Sequence, residues 1–452
     1  MMFIRRRVAA RELHVMAALA NAVAQLRAGT WLDRRRVRAG AAILLALQLA
    51  GFLFIVAGTH GWFERWIGPL AKPTTTDFVS FYAAGALADS GNAALAYDHA
   101  AHLAAEERVT GAGIEYQYFN YPPVFILVCA ALATLPYLVA FIVFEGATLC
   151  LYLLVATRIL ADRSGTALVV LLAFPIVFWN FGLGQNGFLT AGLFGAATLL
   201  VDRRPIVAGI LFGAICYKPQ FGVLVPLALA AGGQWRAFAA AGVSAALFVL
   251  ASLALFGPST WQAFVSAAAA SPAMYESGRI LFAGMANPFG AARLLGADLP
   301  LAYGLQAAAS LGAAGFVVVV WRRRLSLPTR AATLAAASVV AAPLSLLYDL
   351  MLGAIAAAWL IRDGNSPAQS AWEKIALAAL FLMVLDGRGL AESWHVPVFP
   401  LAALALFAIA GARAWREMAQ PRLIAGRGSP RARTGESRAE AIARSPSASP
   451  RR

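Results

Sequence analysis

Charge is scarce in this sequence: 13% of its 452 residues are Asp, Glu, Lys or Arg, against about 25% in an ordinary soluble domain. So little charge nearly excludes a water-soluble fold. Cysteine is scarcer still. Cys129, Cys150 and Cys216 all fall inside apolar segments, without metal-ligand spacing or an obvious pairing, so they read as packing residues and indicate neither redox nor metal chemistry. His60, His99, His102 and His395 show no ligand spacing either, and no metal or other cofactor is expected. The apolar and polar residues do not alternate as the strands of an outer-membrane barrel require.

What the chain has in abundance is apolar length. It is 60% hydrophobic with a mean hydropathy of +0.69, and stretches long enough to cross a roughly 30 Å hydrocarbon core recur from about residue 39 to residue 415. Because a bilayer interior cannot satisfy exposed backbone groups, these stretches must be helices, and the expected class is an all-α polytopic membrane protein. The net charge of +15 does not indicate nucleic acid, since the basic residues are not spread over a folded face. Residues 1–38 hold nine arginines and the segment from Arg413 to Arg452 holds ten more, a positive-inside signature that puts both ends in the cytoplasm.

Three regions follow. Residues 1–38 read as a basic amphipathic cytoplasmic segment; Arg11, Glu12, His14 and Arg27 interrupt its apolar content, so it is no cleavable signal peptide. Residues 39–415 form the transmembrane domain. Residues 416–452, rich in Arg, Ser, Pro and Ala without apolar periodicity, read as a disordered basic tail able to lie against anionic lipid.

Within the domain a first span at about 39–58 precedes a long non-apolar stretch, 59–121, whose seven acidic residues face only Arg65, Lys72 and Arg108. That acidic excess fits the outer face. Parts of it, 78–90 and 99–110, have helical spacing suited to the membrane surface. From residue 122 twelve further apolar segments follow, some too short to span fully. An odd total cannot return both ends to one side, so 122–160 is expected to make one net crossing, giving about twelve. The basic turns 158–163, 203–204, 236, 322–324 and 362 are then cytoplasmic, and 59–121, 182–187, Lys218, 257–300, Tyr348 with Asp349, and 387–395 face outward.

The unusual polar residues collect on that outer side. The long loop contains Thr76-Asp77-Phe78-Val79-Ser80-Phe81-Tyr82 and closes on Asn120-Tyr121-Pro122-Pro123; later come Gly184-Gln185-Asn186-Gly187, Tyr217-Lys218-Pro219-Gln220, Asn287-Pro288 and the stretch from Pro343 to Asp349. In order and spacing this set resembles the polyprenyl-phosphate-sugar-dependent glycosyltransferases of family 87, the alpha-mannosyltransferase-like group of the GT-C superfamily, over about 40–415. The resemblance implies a GT-C-type fold of about twelve transmembrane helices, with short or broken helices around an outward-facing cavity. It implies transfer of a mannose-like hexose from a polyprenyl-phosphate donor to a hydroxyl of a glycan or glycolipid acceptor, by inverting single displacement. The setting implied is the plasma membrane of a bacterium, with the site on the periplasmic face and membrane lipids as surroundings.

Asp77 matches the acidic position of the family's first outer loop, which implies a general base; a sugar hydroxyl is a poor nucleophile at neutral pH and needs a proton acceptor. Its alternative is an N-cap of the following helical run. Lys218, between two apolar half-helices beside a proline, is the first candidate to hold the donor phosphate, or else it snorkels to the interface. Arg279 is the second, with a solvated loop arginine as its alternative. Gln185 and Asn186 either bind sugar hydroxyls or cap the flanking helices. Asp349, an intramembrane carboxylate, implies function or a paired partner. Tyr82, Gln220 and Asn287, within the same motifs, complete the expected substrate-binding set. Glu145, in the middle of an apolar segment, has no assignment. A transporter or lipid-linked sugar flippase is the rival reading, since broken helices also build transporters, although internal repeats between the two halves are not evident.

Overall fold

The computed structural model describes residues 16–18, 20–25, 27–29, 31–58, 76–362, 370 and 372–420. Expectations placed on His60, Arg65, Lys72 and the tail beyond Gln420 lie outside those residues. Among the described residues the chain is all helix with no strand. The described residues up to Met418 belong to one compact unit.

The helices follow the apolar runs closely: α1 (Arg34–Gly58), α2 (Phe78–Asp89), α3 (His99–Thr110), α4 (Pro123–Ala133), α5 (Tyr137–Leu160), α6 (Gly165–Leu172), α7 (Pro175–Leu183), α8 (Gly187–Leu200), α9 (Pro205–Gly213), α10 (Pro219–Gly222), α11 (Leu224–Ala231) and α12 (Trp235–Ala270). Then come α13 (Pro272–Glu276), α14 (Pro288–Leu294), α15 (Leu299–Arg322), α16 (Leu327–Ala341), α17 (Leu350–Arg362), α18 (Glu373–Met383), α19 (Gly387–Trp394) and α20 (Val398–Ala419). Proline supplies many of the starts, at the first turn of α4, α7, α9, α10 and α14, where the missing amide hydrogen costs nothing.

Against the expected twelve crossings, helix length and composition support five full spans among the described residues: Arg34–Leu53, Tyr137–Leu160, Trp235–Glu276, Leu299–Arg322 and Val398–Ala419. The pair α6 and α7, bent by 58°, makes a sixth if read as one span. In 122–160 it is α5, with 24 residues, that is long enough to cross; α4 has 11.

The remaining apolar helices are short, and four of them join the same two kinds of turn. The helix α8 runs from the turn at Gln185 to Asp202, α9 from Arg204 toward Lys218, α16 from Arg330 toward Pro343, and α17 from Asp349 to Arg362. Each therefore has one end at a basic turn and the other at one of the polar motifs. At the basic end, ties between distant turns hold the bundle: Arg330 pairs with Asp202 at 2.5 Å, Arg34 with Asp162, and Arg362 Nη1 donates to the carbonyls of Arg158 (3.1 Å) and Ile159 (2.9 Å). With 14, 15 and 13 residues, α8, α16 and α17 reach only about 20 Å at 1.5 Å per residue, short of the roughly 30 Å hydrocarbon layer. A helix of that length that starts at one surface of the layer ends inside it.

One expectation is corrected. The segment 78–90 is helical, but α2 does not lie along a surface: Phe78, Val79, Ser80, Phe81, Ala83, Ala84, Gly85 and Leu87 are all buried. A helix apolar on all sides is a core helix, and α2 packs on α4 so closely that a Cβ on Gly85 would come 2.1 Å from the Cys129 carbonyl oxygen. Overpacking of this kind costs on the order of 1–3 kcal/mol. Gly85→Ala is therefore expected to lower the thermal unfolding midpoint of the detergent-purified protein, and an unchanged midpoint would show that the two helices can part freely.

Candidate active site

The polar helix ends meet around a cavity of about 780 Å³. One wall comes from α1 and α7, through Gln48, Gly51, Phe52, Phe178 and Trp179; Gln48 donates to the Ala173 carbonyl (2.9 Å), and Phe52 meets Phe178 edge-on at 5.5 Å. A second wall is the extended strip 115–121 with Arg279 and Ile280. The turns at Lys218 and 344–349 form the third, and α19 adds Arg388. An isolated bridge between Met285 and Leu346, with a 2.8 Å bond from Ala286 N to Ser345 O, joins the segment after Arg279 to the turn before Asp349.

Asp77 lines this cavity and is half-buried. It stands at the N-terminus of α2 but makes no side-chain cap, so the helix-cap alternative is not what the side chain does. Instead Oδ2 accepts from Gln185 Nε2 at 2.6 Å, and the backbone amide of Asp77 donates to the Leu183 carbonyl at 2.7 Å. Gly184 makes this approach possible: it adopts φ 68°, closing α7 in the left-handed region, and a Cβ there would sit 2.6 Å from the Phe78 Cβ. Burial raises the Asp77 carboxyl to about 6, against the opposing pull of the Gln185 bond and of the charges on Lys218 and Arg388.

Lys218 and Asp349 are both buried and form one ion pair, Nζ to Oδ1 at 2.6 Å, while Oδ2 of Asp349 accepts from the Leu346 amide at 2.9 Å. The ammonium also lies 5.1 Å from the centre of the Tyr348 ring. Lys218 therefore does not snorkel, and its charge is balanced at close range. Arg279 is exposed and donates to the Tyr118 hydroxyl at 3.3 Å. Arg388, which the sequence did not single out, is a further cation of the lining; it pairs with Glu392 at 2.7 Å and lies over Trp179 at 5.7 Å. The available signal was an arginine on the short amphipathic α19, inside a stretch already assigned to the outer side.

The structure brings Asp77, Lys218, Arg279, Gln185, Gln220 and Asp349 to this one cavity, and leaves Tyr82, Asn186 and Asn287 out of its lining. Tyr82 donates to the Leu135 carbonyl at 2.8 Å and packs on Tyr137. Asn287 caps α14, accepting from the Gly290 amide at 3.0 Å and donating to the Pro343 carbonyl at 2.6 Å. Asn186 is fully buried behind Gln185, without a hydrogen bond to its side-chain amide. Among the described residues no group of three or more His, Cys, Asp or Glu side chains gathers as a metal site would require.

Behind the strip 115–121 lies a buried pair, His102 and Glu106, on α3. Glu106 Oε2 accepts from the Gln117 amide at 3.2 Å, His102 Nε2 lies 3.1 Å from the Ser80 carbonyl, and the imidazole packs on Tyr116 and Phe119. Burial pushes Glu106 up to about 8 and His102 down to about 4, each toward its uncharged form, while Nδ1 and Oε1 of the two lie 3.5 Å apart; their bonds fasten the strip to α2 and α3.

A family model described as glycosyltransferase family 87 matches residues 119–348, more than half of the chain. The chain belongs to glycosyltransferase family 87. Comparison with curated proteins and with solved structures returned no match. Membership of this family makes the protein a membrane glycosyltransferase, acting on a sugar donor and an acceptor, and decides against the transporter and flippase readings. The matched segment of this family 87 enzyme contains the strip 119–121, Gln185, Lys218 and Arg279; Asp77 precedes it and joins it through the bond to Gln185.

Breaking a buried ion pair by removing one partner costs about 3–5 kcal/mol, because the other charge is stranded. Lys218→Met is expected to destabilise the enzyme on that scale. Lys218→Met combined with Asp349→Leu is expected to recover most of the loss, as read by thermal unfolding in detergent. A single variant as stable as the parent would mean that the pair is not closed to water.

Proposed function

We propose that this glycosyltransferase moves a mannose-like hexose from a polyprenyl-phosphate donor to a hydroxyl of a glycan or glycolipid acceptor, by a single inverting displacement with Asp77 as general base. The observation that carries the proposal is the state of the Asp77 carboxylate. Oδ2 is held by Gln185, and among the described residues Oδ1 takes no hydrogen bond, leaving an acceptor turned to a cavity of about 780 Å³.

In the proposed step the acceptor oxygen bonds to the anomeric carbon as the bond from that carbon to the donor phosphate oxygen breaks. The acceptor proton passes to Asp77, and the polyprenyl phosphate leaves with the bonding pair. A carboxyl group near 6 is mostly ionised at neutral pH yet basic enough to take the proton as the hydroxyl acidifies. The leaving phosphate needs fixed positive charge, and Lys218, Arg279 and Arg388 are the cations of the lining. Lys218 reaches the phosphate with its Asp349 partner in place and Arg388 with Glu392 beside it, so Arg279, bonded to the neutral Tyr118 hydroxyl, contributes the excess positive charge.

Two features support the substrate class and the side of the membrane. Gly51, Phe52 and Phe178 give the cavity an apolar wall suited to a lipid chain, whereas Glu115, Gln117 and Tyr118 give it a polar wall suited to sugar hydroxyls. The polar helix ends are also opposite the basic turns, and by the positive-inside rule the cavity then faces the periplasm of a bacterial plasma membrane.

Purified enzyme incubated with polyprenyl-phosphate mannose and a panel of glycan acceptors is expected to release polyprenyl phosphate. Asp77→Asn should reduce turnover by roughly 100-fold or more while donor binding survives. In the parent enzyme kcat/KM is expected to fall as the pH drops through about 6, because protonation removes the base. Near-normal turnover by a correctly inserted Asp77→Asn protein would remove Asp77 from this role.

A further inference from the structure

Glu145 is the one acidic residue of the 24-residue span α5, and the reaction outlined above does not use it. An ionisable group in the middle of an apolar span is costly to keep. Its side chain is fully buried, Oε2 accepts from Asn180 Nδ2 at 3.3 Å, and Oε1 has no hydrogen-bond partner. Little of the cost of burying it is recovered locally, so the contact that it does make carries information.

Asn180 is also fully buried, near the end of α7, and spans the turn that follows. The same Nδ2 donates to the Gln185 carbonyl at 2.7 Å, and Oδ1 accepts from the Gly187 amide at 2.8 Å. A Cβ on Gly187 would lie 2.4 Å from that Oδ1, so the closeness depends on glycine. The turn held in this way presents two groups to Asp77: the Leu183 carbonyl, which takes its amide hydrogen, and the Gln185 amide, which donates to Oδ2. The other face of Gln185 is fixed as well, since Oε1 accepts from the Tyr121 hydroxyl at 3.2 Å and from the Asn186 amide at 3.3 Å. Each donor has its acceptor in an unbroken sequence from α5 to the carboxylate.

We infer that Gln185 is a positioning residue for Asp77 rather than a sugar-binding amide, and that Glu145 and Asn180 are positioning residues one step further back, clamping the 183–187 turn. This rests on the reading of Asp77 as general base. A carboxylate free to rotate would spread its basic oxygen over orientations that miss the acceptor hydroxyl, whereas a locked one keeps Oδ1 in one direction. The amide also donates to the ionised form, which it favours. The other groups facing Asp77 are the charges of Lys218 and Arg388, the hydroxyls of Tyr121 and Tyr348, and Glu106 on α3. Of these, Lys218, Arg388, Tyr348 and Glu106 take no side-chain bond from Gln185, whereas the Tyr121 hydroxyl loses its acceptor when Gln185 is replaced.

The test measures polyprenyl phosphate release from polyprenyl-phosphate mannose across pH in full-length protein. Gln185→Met is expected to lower kcat about 10-fold or more and to move the acid limb upward by about one pH unit, with the donor KM little changed. Glu145→Leu should shift the limb in the same direction with a smaller loss of kcat. Glu145→Gln, whose amide oxygen still accepts from Asn180, should restore most of it. An acid limb that stays put in an inserted Gln185→Met protein overturns the inference at its last link, and that variant carries the test if Glu145→Leu does not insert. Equal impairment in Glu145→Gln and Glu145→Leu overturns the clamp. If Asp77→Asn is inactive while both limbs stay unmoved, only this inference fails; if Asp77→Asn keeps its turnover, the base reading fails first.

Discussion

Helices that end inside an apolar layer create a demand that the rest of this molecule answers. Those of their last carbonyls, first amides and adjoining polar side chains that do not face the cavity have no water to turn to, and each unpaired group would cost several kcal/mol there. The turns after α7, after α9 and before α17 all end in this way, and the N-terminus of α2 meets them. The partners are supplied across turns rather than within them: Asp77 takes its donor from Gln185, Lys218 takes its acceptor from Asp349, and Asn287 bonds the Pro343 carbonyl. A pocket able to hold a sugar and a phosphate is the space left where these ends converge.

The buried ionisable groups divide according to what they leave free. Arg413 with Glu373, and Lys218 with Asp349, close on each other. Burial drives His102 and Glu106 each toward the uncharged form. Asp77 and Glu145 each have one oxygen held by an uncharged amide and the other without a bond, and of the two it is Asp77 that lines the cavity. An incomplete set of bonds is costly in a structural residue, and it is what a group that must accept a proton requires.

Much of this was legible in the sequence, and the failures have definite causes. The apolar runs locate nearly every helix because a spanning segment must be long and apolar throughout. Lys218 and Asp349 stood out because charge in such segments is expensive, but they lie 131 residues apart and nothing local announces that they pair. Asn287 was read as a substrate ligand, although Asn followed by Pro is also the grammar of a helix start, and capping is what its side chain does. The 78–90 segment was expected on a surface because its neighbours are polar; its own residues, apolar on every side, were the better guide. Glu145 was conspicuous without being interpretable, since its partner lies 35 residues away on another helix. Arg388 lies in an ordinary polar stretch, where one more arginine carries no cost, so its place on the short outer-side α19 was a weak signal.

The single free oxygen of Asp77 also bears on how one round of catalysis connects to the next. On the proposed reading, a finished transfer leaves the carboxyl group protonated, with its amide partner occupying the only other oxygen and protein behind it. Among the described residues, the cavity that the product has just occupied is the route by which the proton returns to water. Reset of the base therefore follows departure of the elongated acceptor, so a product that lingers would hold the enzyme in its spent protonation state as well as blocking its mouth.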